Sequence, residues 1–247
     1  MATALITGGT SGIGLGFASR FAADGHDVVL VARDRSRLDR TAAGLHDRHG
    51  VRVETFSADL ATPDGCAAVQ AYLRTSTVDV LVNNAGHSLS QPYPRSPLAD
   101  EEGMLDLLVR APLRLTHAAI PGMTARGNGA ILNIASVAGL VPAGTYGAAK
   151  AWLIHFSESL RLDLAPHGVR VLAVCPGFTE TGAPRAESVP GWIWLSVDHV
   201  VDRAMRDLRR GKPRSVAGRH FRLYATAVHH APRRLAARMA RSRTPKG

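Results

Sequence analysis

Residues 4–31, ALITGGTSGIGLGFASRFAADGHDVVLV, decide the fold of this chain. Ala4–Ile6 is a short apolar run that predicts a buried strand, and the glycine-rich turn Thr7–Gly14 follows it. From Leu15 to Ala22 the apolar residues recur at helical spacing, and a second apolar strand follows at Val28–Val31. A strand, a glycine turn, a helix and a strand within about 30 residues predict a βαβ unit of the dinucleotide-binding type.

The glycine-rich turn predicts where the pyrophosphate of the dinucleotide binds. Glycines allow a tight turn and a close approach of the backbone, and the amide groups at the start of the next helix favour an anion. This turn is therefore expected to supply most of the contacts to the phosphates. The residues predicted to contact the dinucleotide here are Gly8, Thr10, Ser11, Gly12, Ile13 and Gly14.

The end of the second strand predicts which dinucleotide is bound. Proteins that bind NAD usually place an acidic residue there, where it accepts a hydrogen bond from the ribose 2′-hydroxyl. Here the strand ends in Val31, Ala32 and Arg33, and a guanidinium pairs well with a phosphate. We therefore expect NADP as the cofactor, with NAD less favoured. Asp34 follows immediately and is the main competing feature.

Apolar strands and helical patterns alternate along the chain without an internal repeat or a linker. This alternation predicts an α/β fold with one doubly wound parallel sheet, Rossmann-like, in a single domain that spans residues 1–247. Within it, residues 182–218 are expected to form a substrate lid and the last strand, and residues 219–247 a basic tail. A long helix over 101–122 is expected to be interrupted or kinked near Pro112. Further strands are predicted at 51–56, 78–82, 131–134, 169–174 and 215–218, and further helices at 36–49, 62–74, 145–165, 198–208 and 221–239.

Several polar and glycine positions follow directly after predicted strands. In a doubly wound sheet these positions meet at the carboxyl edge, where ligands bind. The edge therefore predicts one site built from separate parts of the chain. Besides the glycine turn, the positions are Asp59, Leu60, Asn83, Ala85, Gly86, Ser136, Pro176 and Gly177.

The stretch from Ile131 to Leu153 is where the chemistry is expected. Tyr146 and Lys150 are four positions apart at the start of an Ala-rich helix, which places both on one face. A cation held beside a phenol lowers the pKa of the phenol and lets it exchange a proton with an alcohol or a carbonyl. Ser136, at the end of the preceding strand, offers a hydroxyl to the same oxygen.

Composition restricts the class of protein. Hydrophobic residues make up 45% of the 247 positions, the mean hydropathy is −0.01, and no apolar run reaches the ~18 residues of a membrane span. The first residues lack the pattern of a signal peptide, so a cytoplasmic location is expected. Cys66 and Cys175 form no spaced pair and are expected to be buried free thiols, and no metal site is expected.

The net charge of +10 comes mostly from arginine, since only three of the 30 basic residues are lysine. Many arginines follow residue 200, where a basic face could attract nucleic acid or an anionic membrane. No nucleic-acid motif accompanies them, so we expect a solvated surface and no nucleic-acid partner. The predicted helix over 221–239 leaves three alternatives open: a cap on the cleft, a subunit contact, or peripheral contact with a membrane.

Over residues 3–181 the chain resembles the short-chain dehydrogenase/reductase family. The motifs that carry the resemblance are Thr7–Gly14, Asp59–Leu60, Asn83–Gly86, Ser136, Tyr146-x-x-x-Lys150, and Pro176–Gly177 followed by Thr181. The resemblance implies that Tyr146 is the general acid/base, that Lys150 lowers its pKa and binds the ribose, and that Ser136 holds the substrate oxygen. It also implies that Asp59 lies on the adenine side, that Asn83 to Gly86 pack the cofactor cleft and that Thr181 binds the carboxamide.

Two positions depart from the family pattern. Leu108 stands where the family usually has an asparagine that supports a water-linked proton relay from the lysine, and a leucine cannot hold such a water. Ser136 and Tyr146 are also closer in sequence than is usual, which shortens the loop at Pro142–Thr145 and alters the rim of the pocket.

These features together predict an NADP-dependent oxidoreductase that interconverts a secondary alcohol and a ketone. Trp192 and Trp194 favour a lipophilic carbonyl substrate, and reduction is the expected direction. A homodimer or homotetramer is expected. The alternative, motivated by Leu108 and the short loop, is a catalytically impaired regulatory protein that binds NADP(H) on the same scaffold. Sequence alone does not identify the substrate.

Overall fold

The fold is an α/β sandwich around a parallel sheet. The computed structural model describes residues 1–182 and 189–230, and in this part of the chain seven strands form one sheet in the order β3-β2-β1-β4-β5-β6-β7. Every neighbouring pair is parallel, which confirms the predicted Rossmann-like class. The strands are β1 (Thr3–Thr7), β2 (Asp27–Ala32), β3 (Val53–Ser57), β4 (Val80–Asn83), β5 (Gly129–Ile134), β6 (Val169–Val174) and β7 (Arg214–Ser215).

The helices connect the strands, and α2 and α3 begin at side chains that cap them. Asp34 accepts a hydrogen bond from the Arg37 backbone at the start of α2, and Thr62 does the same for Gly65 at the start of α3. The left-handed Gly50 ends α2. The helices are α1 (Gly12–Ala23), α2 (Arg35–His49), α3 (Pro63–Thr75), α4 (Leu98–Leu105), α5 (Ala111–Ala125), α6 (Gly144–Leu164), α7 (Val197–Arg209) and α8 (Arg219–His230).

The predicted long helix over 101–122 is interrupted close to Pro112. It begins earlier, at Leu98, and a π-helical segment at Asp106–Arg110 separates α4 from α5. Pro112 lies at the start of α5, two residues after the end of this segment. The π segment widens the helix at Leu108.

Two apolar cores cover the two faces of the sheet. Alternate strand residues point to opposite faces, so Ile6 packs with α1, α2 and α7, whereas Leu5 packs with α3 and α5. Both cysteines are free and buried, as predicted. The two packed cores therefore hold the strands and helices in fixed positions. They also fix the positions of the strand ends that form the carboxyl edge of the sheet.

A buried polar network ties this core to the helix that carries Tyr146. Asn83 donates to Asn133 at 2.8 Å and to Thr116 at 3.1 Å, and Asn133 donates to Ser157 at 2.9 Å. These four side chains connect β4, β5, α5 and α6 beneath the carboxyl edge. A buried polar group without a partner costs about 1–3 kcal/mol, so the network fixes the position of α6 along β5.

The C-terminal predictions are confirmed in part. The last strand is Arg214–Ser215 alone, shorter than the predicted 215–218, and the predicted helix over 221–239 is seen as α8 up to His230, with 231–239 outside the described residues. Of the predicted lid, 183–188 also lie outside them. Trp192 is 72% exposed, whereas Trp194 packs on Phe178 with the rings 5.4 Å apart. Within residues 1–182 and 189–230, none of the helices has the length and apolar character that crossing a bilayer requires.

Candidate active site

A cleft of ≈ 940 Å³ runs along the carboxyl edge of the sheet. Its walls come from the ends of β1, β2, β4, β5 and β6 and from the first turns of α6, as the sequence predicted for this edge. The predicted site residues that line it are Gly8, Thr10, Ser11, Gly12, Ile13, Arg33, Asp59, Leu60, Ala85, Gly86, Ser136, Tyr146, Lys150, Pro176, Gly177 and Thr181.

The glycine-rich turn has the backbone that only glycine adopts without strain. Gly8 and Gly12 have φ of +64° and +52°. A Cβ on Gly14 would lie 2.2 Å from the Gly8 carbonyl oxygen, so this glycine lets the turn pack on α1. Asn84 braces the turn from β4, since its side-chain amide donates to the carbonyls of Thr7 (2.9 Å) and Gly8 (3.1 Å).

The start of α1 fits the pyrophosphate of a dinucleotide. Ser11 makes no side-chain cap there and the first turn carries no acidic residue, so the helix amides and dipole face the cleft uncompensated. A Cβ on Gly12 would lie 2.8 Å from the Thr181 side chain, so the two walls of the cleft approach closely at this point. The residues at the start of α1 therefore fit the pyrophosphate of the dinucleotide that the sequence predicts.

Basic side chains define the ribose end of the cleft. Arg33 and Arg37 both line it, and the Arg33 side chain is 74% exposed, 3.9 Å from a carboxylate oxygen of Asp59. Asp34 serves the cap of α2, because its carboxylate accepts from the Arg37 backbone and the Ser36 hydroxyl, both at 3.0 Å. These hydrogen bonds, that from Arg37 first, lower the pKa of Asp34. Arg37, four residues after Arg33 in the first turn of α2, was not predicted from the sequence.

Ser136, Tyr146 and Lys150 meet at the centre of the cleft despite the short loop. Ser136 lies two residues after the end of β5, and its hydroxyl accepts a hydrogen bond from the Ala138 N–H at 3.1 Å. It also acts on the Tyr146 phenol, whose pKa it lowers. The Lys150 ammonium lies 5.7 Å from the centre of the Tyr146 ring and donates to the Ile134 carbonyl oxygen at 2.6 Å. The short loop enters α6 at Gly144, which has a left-handed backbone conformation.

The pKa of Tyr146 differs from the expectation. Burial raises this pKa above its usual value, the hydrogen bond with Ser136 acts in the opposite direction, and Lys150 is not among the causes. The phenol is therefore protonated at neutral pH. Burial lowers the pKa of Lys150 from 10.5 to about 8.

Leu108 fills the space behind Lys150. It is 1% exposed and packs with Met104, Ala149 and Tyr146. A Cβ on Gly86 would lie 2.5 Å from Leu108 Cδ2 and 3.8 Å from the Lys150 ammonium. The leucine thus occupies the cavity between this glycine and the lysine with methyl groups.

Two residues predicted to contact the dinucleotide do not line the cleft. Gly14 lies under the turn, and Asn83 points into the buried network, whereas its neighbour Asn84 reaches the cleft. His87 and Thr179 line the cleft and were missed. Their sequence positions, directly after Gly86 and two before Thr181, were the available signal.

The comparisons agree with this geometry. The sequence model of a family described as short chain dehydrogenase matches residues 2–189. Sulfoacetaldehyde reductase 2 of Chromohalobacter salexigens is 41% identical over 72% of each chain. A short-chain dehydrogenase from Sphingobium yanoikuyae, solved in complex with NADPH, is 38% identical with a TM-score of 0.86, covering 100% of this chain and 98% of that one.

A third relative is the bulky-bulky ketone specific alcohol dehydrogenase from Comamonas testosteroni. It is 32% identical, with a TM-score of 0.82, over 95% of this chain and 98% of that chain. The family match, the strand order and the Ser136, Tyr146 and Lys150 constellation in a dinucleotide cleft lead to one assignment. The chain belongs to the short-chain dehydrogenase/reductase family and is an oxidoreductase of alcohols or carbonyl compounds that uses a nicotinamide dinucleotide.

Proposed function

We propose that the protein is an NADP-dependent reductase of lipophilic ketones, with Tyr146 as the general acid. The observation that carries the proposal is that Ser136, Tyr146 and Lys150 line the same cleft as the glycine turn. Bound NADPH would supply a hydride to the carbonyl carbon. A group that gives a proton to the carbonyl oxygen completes the reduction.

Tyr146 is suited to give that proton. Its burial keeps the phenol protonated at neutral pH, which an acid in the reductive direction requires. The Ser136 hydroxyl orients the phenol and offers a second hydrogen bond to the substrate oxygen, where negative charge develops. The Lys150 ammonium, held by the Ile134 carbonyl, adds positive charge that stabilises the phenolate left after transfer.

The basic ribose end supports NADP over NAD. Arg33 and Arg37 line the cleft there, and guanidinium groups bind phosphate strongly. Asp34 also lines the cleft, but its Oδ1 already accepts two hydrogen bonds at the cap of α2, which makes it a weaker partner for a ribose hydroxyl. The solved Sphingobium relative contains NADPH, in agreement with this preference.

The side chains around the site support the proposed substrate class better than the named substrates of the relatives do. One relative is named for sulfoacetaldehyde, a small anion, and another for bulky ketones, so similarity alone does not select a substrate. Leu107, Ile134 and Ala135 line the cleft, and Tyr146 packs on the apolar cluster of Met104, Leu108 and Ala149. Apolar walls favour a lipophilic carbonyl compound.

The test is Tyr146→Phe, with Tyr72→Phe as the matched control on α3, where the hydroxyl bonds Glu54 at 2.7 Å. NADPH oxidation with a panel of ketones is measured by absorbance, and NADPH binding by the fluorescence of the nicotinamide. The Tyr146 variant is expected to lose turnover about 10³-fold while binding changes less than about threefold. Equal turnover in wild type and variant would refute the assigned role.

A second candidate follows from Leu108. Its methyl groups pack where a polar side chain would connect Lys150 to water, which favours a regulatory protein that binds NADP(H) and turns over little. The same assay separates the two functions. Tight NADPH binding without turnover of any ketone or aldehyde would support the regulatory role.

A further inference from the structure

The positive charge of the chain is concentrated at its C-terminal end. Of the 30 basic residues, 12 follow Asp207, whereas none of the 20 acidic residues does. Residues 208–247 therefore carry a formal charge of +12, and residues 1–207 carry −2. A segment with charges of one sign attracts a partner of the opposite sign.

Part of this charge lies on helix α8. The helix contains Arg219 and Arg222 and no acidic residue. Lys212 and Arg214, which precede the helix, each pair with an acidic side chain. Neither arginine of α8 forms an ion pair with another residue that the structure describes. Within that part of the chain, the charge of the helix is therefore not compensated.

Two large apolar side chains are exposed beside these arginines. Leu223 is 73% exposed and lies one helical turn after Arg219. Trp192 is 72% exposed, and its ring meets that of His220 edge-on with the centroids 5.7 Å apart. His220 precedes Leu223 by three residues, so the two are neighbours on the helix. We call the surface of Trp192, Arg219, Arg222 and Leu223 the α8 face.

The α8 face is fixed to the body of the protein beside the cleft. Phe221, 1% exposed, covers Gly177 of the cleft from the other side of the helix. The Nε2 atom of His220 lies 3.2 Å from the carbonyl oxygen of Ile193, within hydrogen-bond distance. This contact connects α8 to the short segment that carries Trp192. The arginines and the exposed apolar side chains therefore form one surface next to a wall of the cleft.

A bilayer with anionic headgroups matches this combination of side chains. Arginines bind the phosphate and carboxylate groups of such headgroups, while tryptophan and leucine enter the apolar boundary beneath them. Nucleic acid matches the charge alone, since its phosphate backbone offers no apolar layer to an exposed leucine. Unpaired bases would stack on Trp192 but not on Leu223. The pair of apolar side chains thus favours the bilayer.

We propose that the α8 face and the basic residues that follow it bind the surface of an anionic bilayer, with Trp192 and Leu223 at the boundary between headgroups and acyl chains. The inference goes beyond the proposed function and does not depend on which substrate is reduced. Each basic residue near the surface raises the affinity about fivefold, the equivalent of ~1 kcal/mol.

The first test is cosedimentation of the full chain with vesicles of phosphatidylcholine, with and without about one third phosphatidylserine. Affinity for the anionic vesicles should be at least about tenfold higher and should fall as salt is added. Replacement of both Arg219 and Arg222 by alanine should lower it about tenfold or more. The matched control replaces Arg40 and Arg48 by alanine, an equal change of charge on exposed positions of α2 at the other end of the sheet. This control should bind as the wild type does.

The second test concerns the apolar side chains. Leu223→Ser should weaken binding to the anionic vesicles about tenfold, whereas Leu162→Ser, at a leucine on α6 that is 66% exposed, should not change it. Tryptophan fluorescence should shift to shorter wavelength when the vesicles are added. Trp192→Phe should lose this shift, since Trp152 and Trp194 lie outside the α8 face.

Equal affinity for neutral and anionic vesicles, or equal binding by the wild type and the Arg219 and Arg222 variant, would overturn the inference. Tighter binding of single- or double-stranded DNA oligonucleotides than of anionic vesicles would do the same, because the partner would then be nucleic acid. A third contrary result is a lower oligomeric mass of Leu223→Ser with unaltered vesicle binding, which would identify a contact between two copies of the chain. Since every measurement is of binding, a failure of the proposed reductase activity leaves these outcomes unchanged.

Discussion

Lys150→Met should stabilise the protein at pH 7 while it abolishes catalysis. Burial lowers the pKa of Lys150 from 10.5 to about 8, so the native state holds this ammonium at a cost of about 3 kcal/mol, at 1.36 kcal/mol per unit. Methionine fills a similar volume without charge, but it gives up the hydrogen bond to Ile134, about 1 kcal/mol. The net expectation is a gain of about 2 kcal/mol in the free energy of unfolding.

The size of this advantage depends on pH, which makes the prediction specific. Between about pH 8 and 10.5 the unfolded chain keeps the Lys150 proton and the native state loses it, so wild-type stability rises with pH in this window. The variant lacks this group, so its advantage should shrink from pH 7 to pH 10. Both proteins are compared by urea denaturation, followed by circular dichroism, at pH 7, 8, 9 and 10.

Lys212→Met is the matched control, because Lys212 pairs at 3.4 Å with the buried carboxylate of Asp207. Removal of this cation leaves a buried charge less compensated, so the control should be less stable than the wild type. A Lys150 variant less stable than the wild type at pH 7, or a stability difference that does not change with pH, would contradict the reasoning.

Two further predictions concern the cofactor site. If NADP is the cofactor, as proposed, the guanidinium groups of Arg33 and Arg37 would pair with its 2′-phosphate. Replacement of both by alanine should then raise KM for NADPH about tenfold or more and leave KM for NADH unchanged. Steady-state kinetics with both cofactors measures this, and an equal effect on both would contradict it. Gly177→Ala should destabilise the protein by about 1–3 kcal/mol, because the new methyl group meets the Phe221 ring. Thermal unfolding measures the loss, and Phe221→Leu in the same chain should recover part of it.

The features that sequence predicts best are those that one local constraint determines. The glycine turn was found because Gly8 and Gly12 need a left-handed backbone, a demand that is visible in the residue type itself. Tyr146 and Lys150 were paired by a spacing of four in a helix, and the structure places both in the cleft. In both cases the residues that determine the feature are within a few positions of one another in the sequence.

Features that depend on the surroundings were not predictable in the same way. Asn83 and Asn84 are adjacent and chemically identical, and only the direction of β4 decides that the first enters the buried network and the second braces the turn. The pKa of Tyr146 moves opposite to the expectation because burial, a property of the whole fold, outweighs a lysine that donates elsewhere. The contact of Phe221 with Gly177 likewise depends on α8, which is distant in sequence from the glycine that it covers.

Leucine at position 108 is compatible with an active site because β5 and the turn after it carry the groups that act on Lys150 and Tyr146. The carbonyl of Ile134 accepts from the Lys150 ammonium, and Ser136, two residues further, lowers the pKa of the Tyr146 phenol. Leu108 takes part in neither interaction; it packs with Met104, Ala149 and Tyr146. The leucine therefore leaves the contact of Lys150 with Ile134 in place and adds an apolar contact to Tyr146. It follows that the stability advantage of Lys150→Met and the activity lost in Tyr146→Phe measure two separable properties of one site.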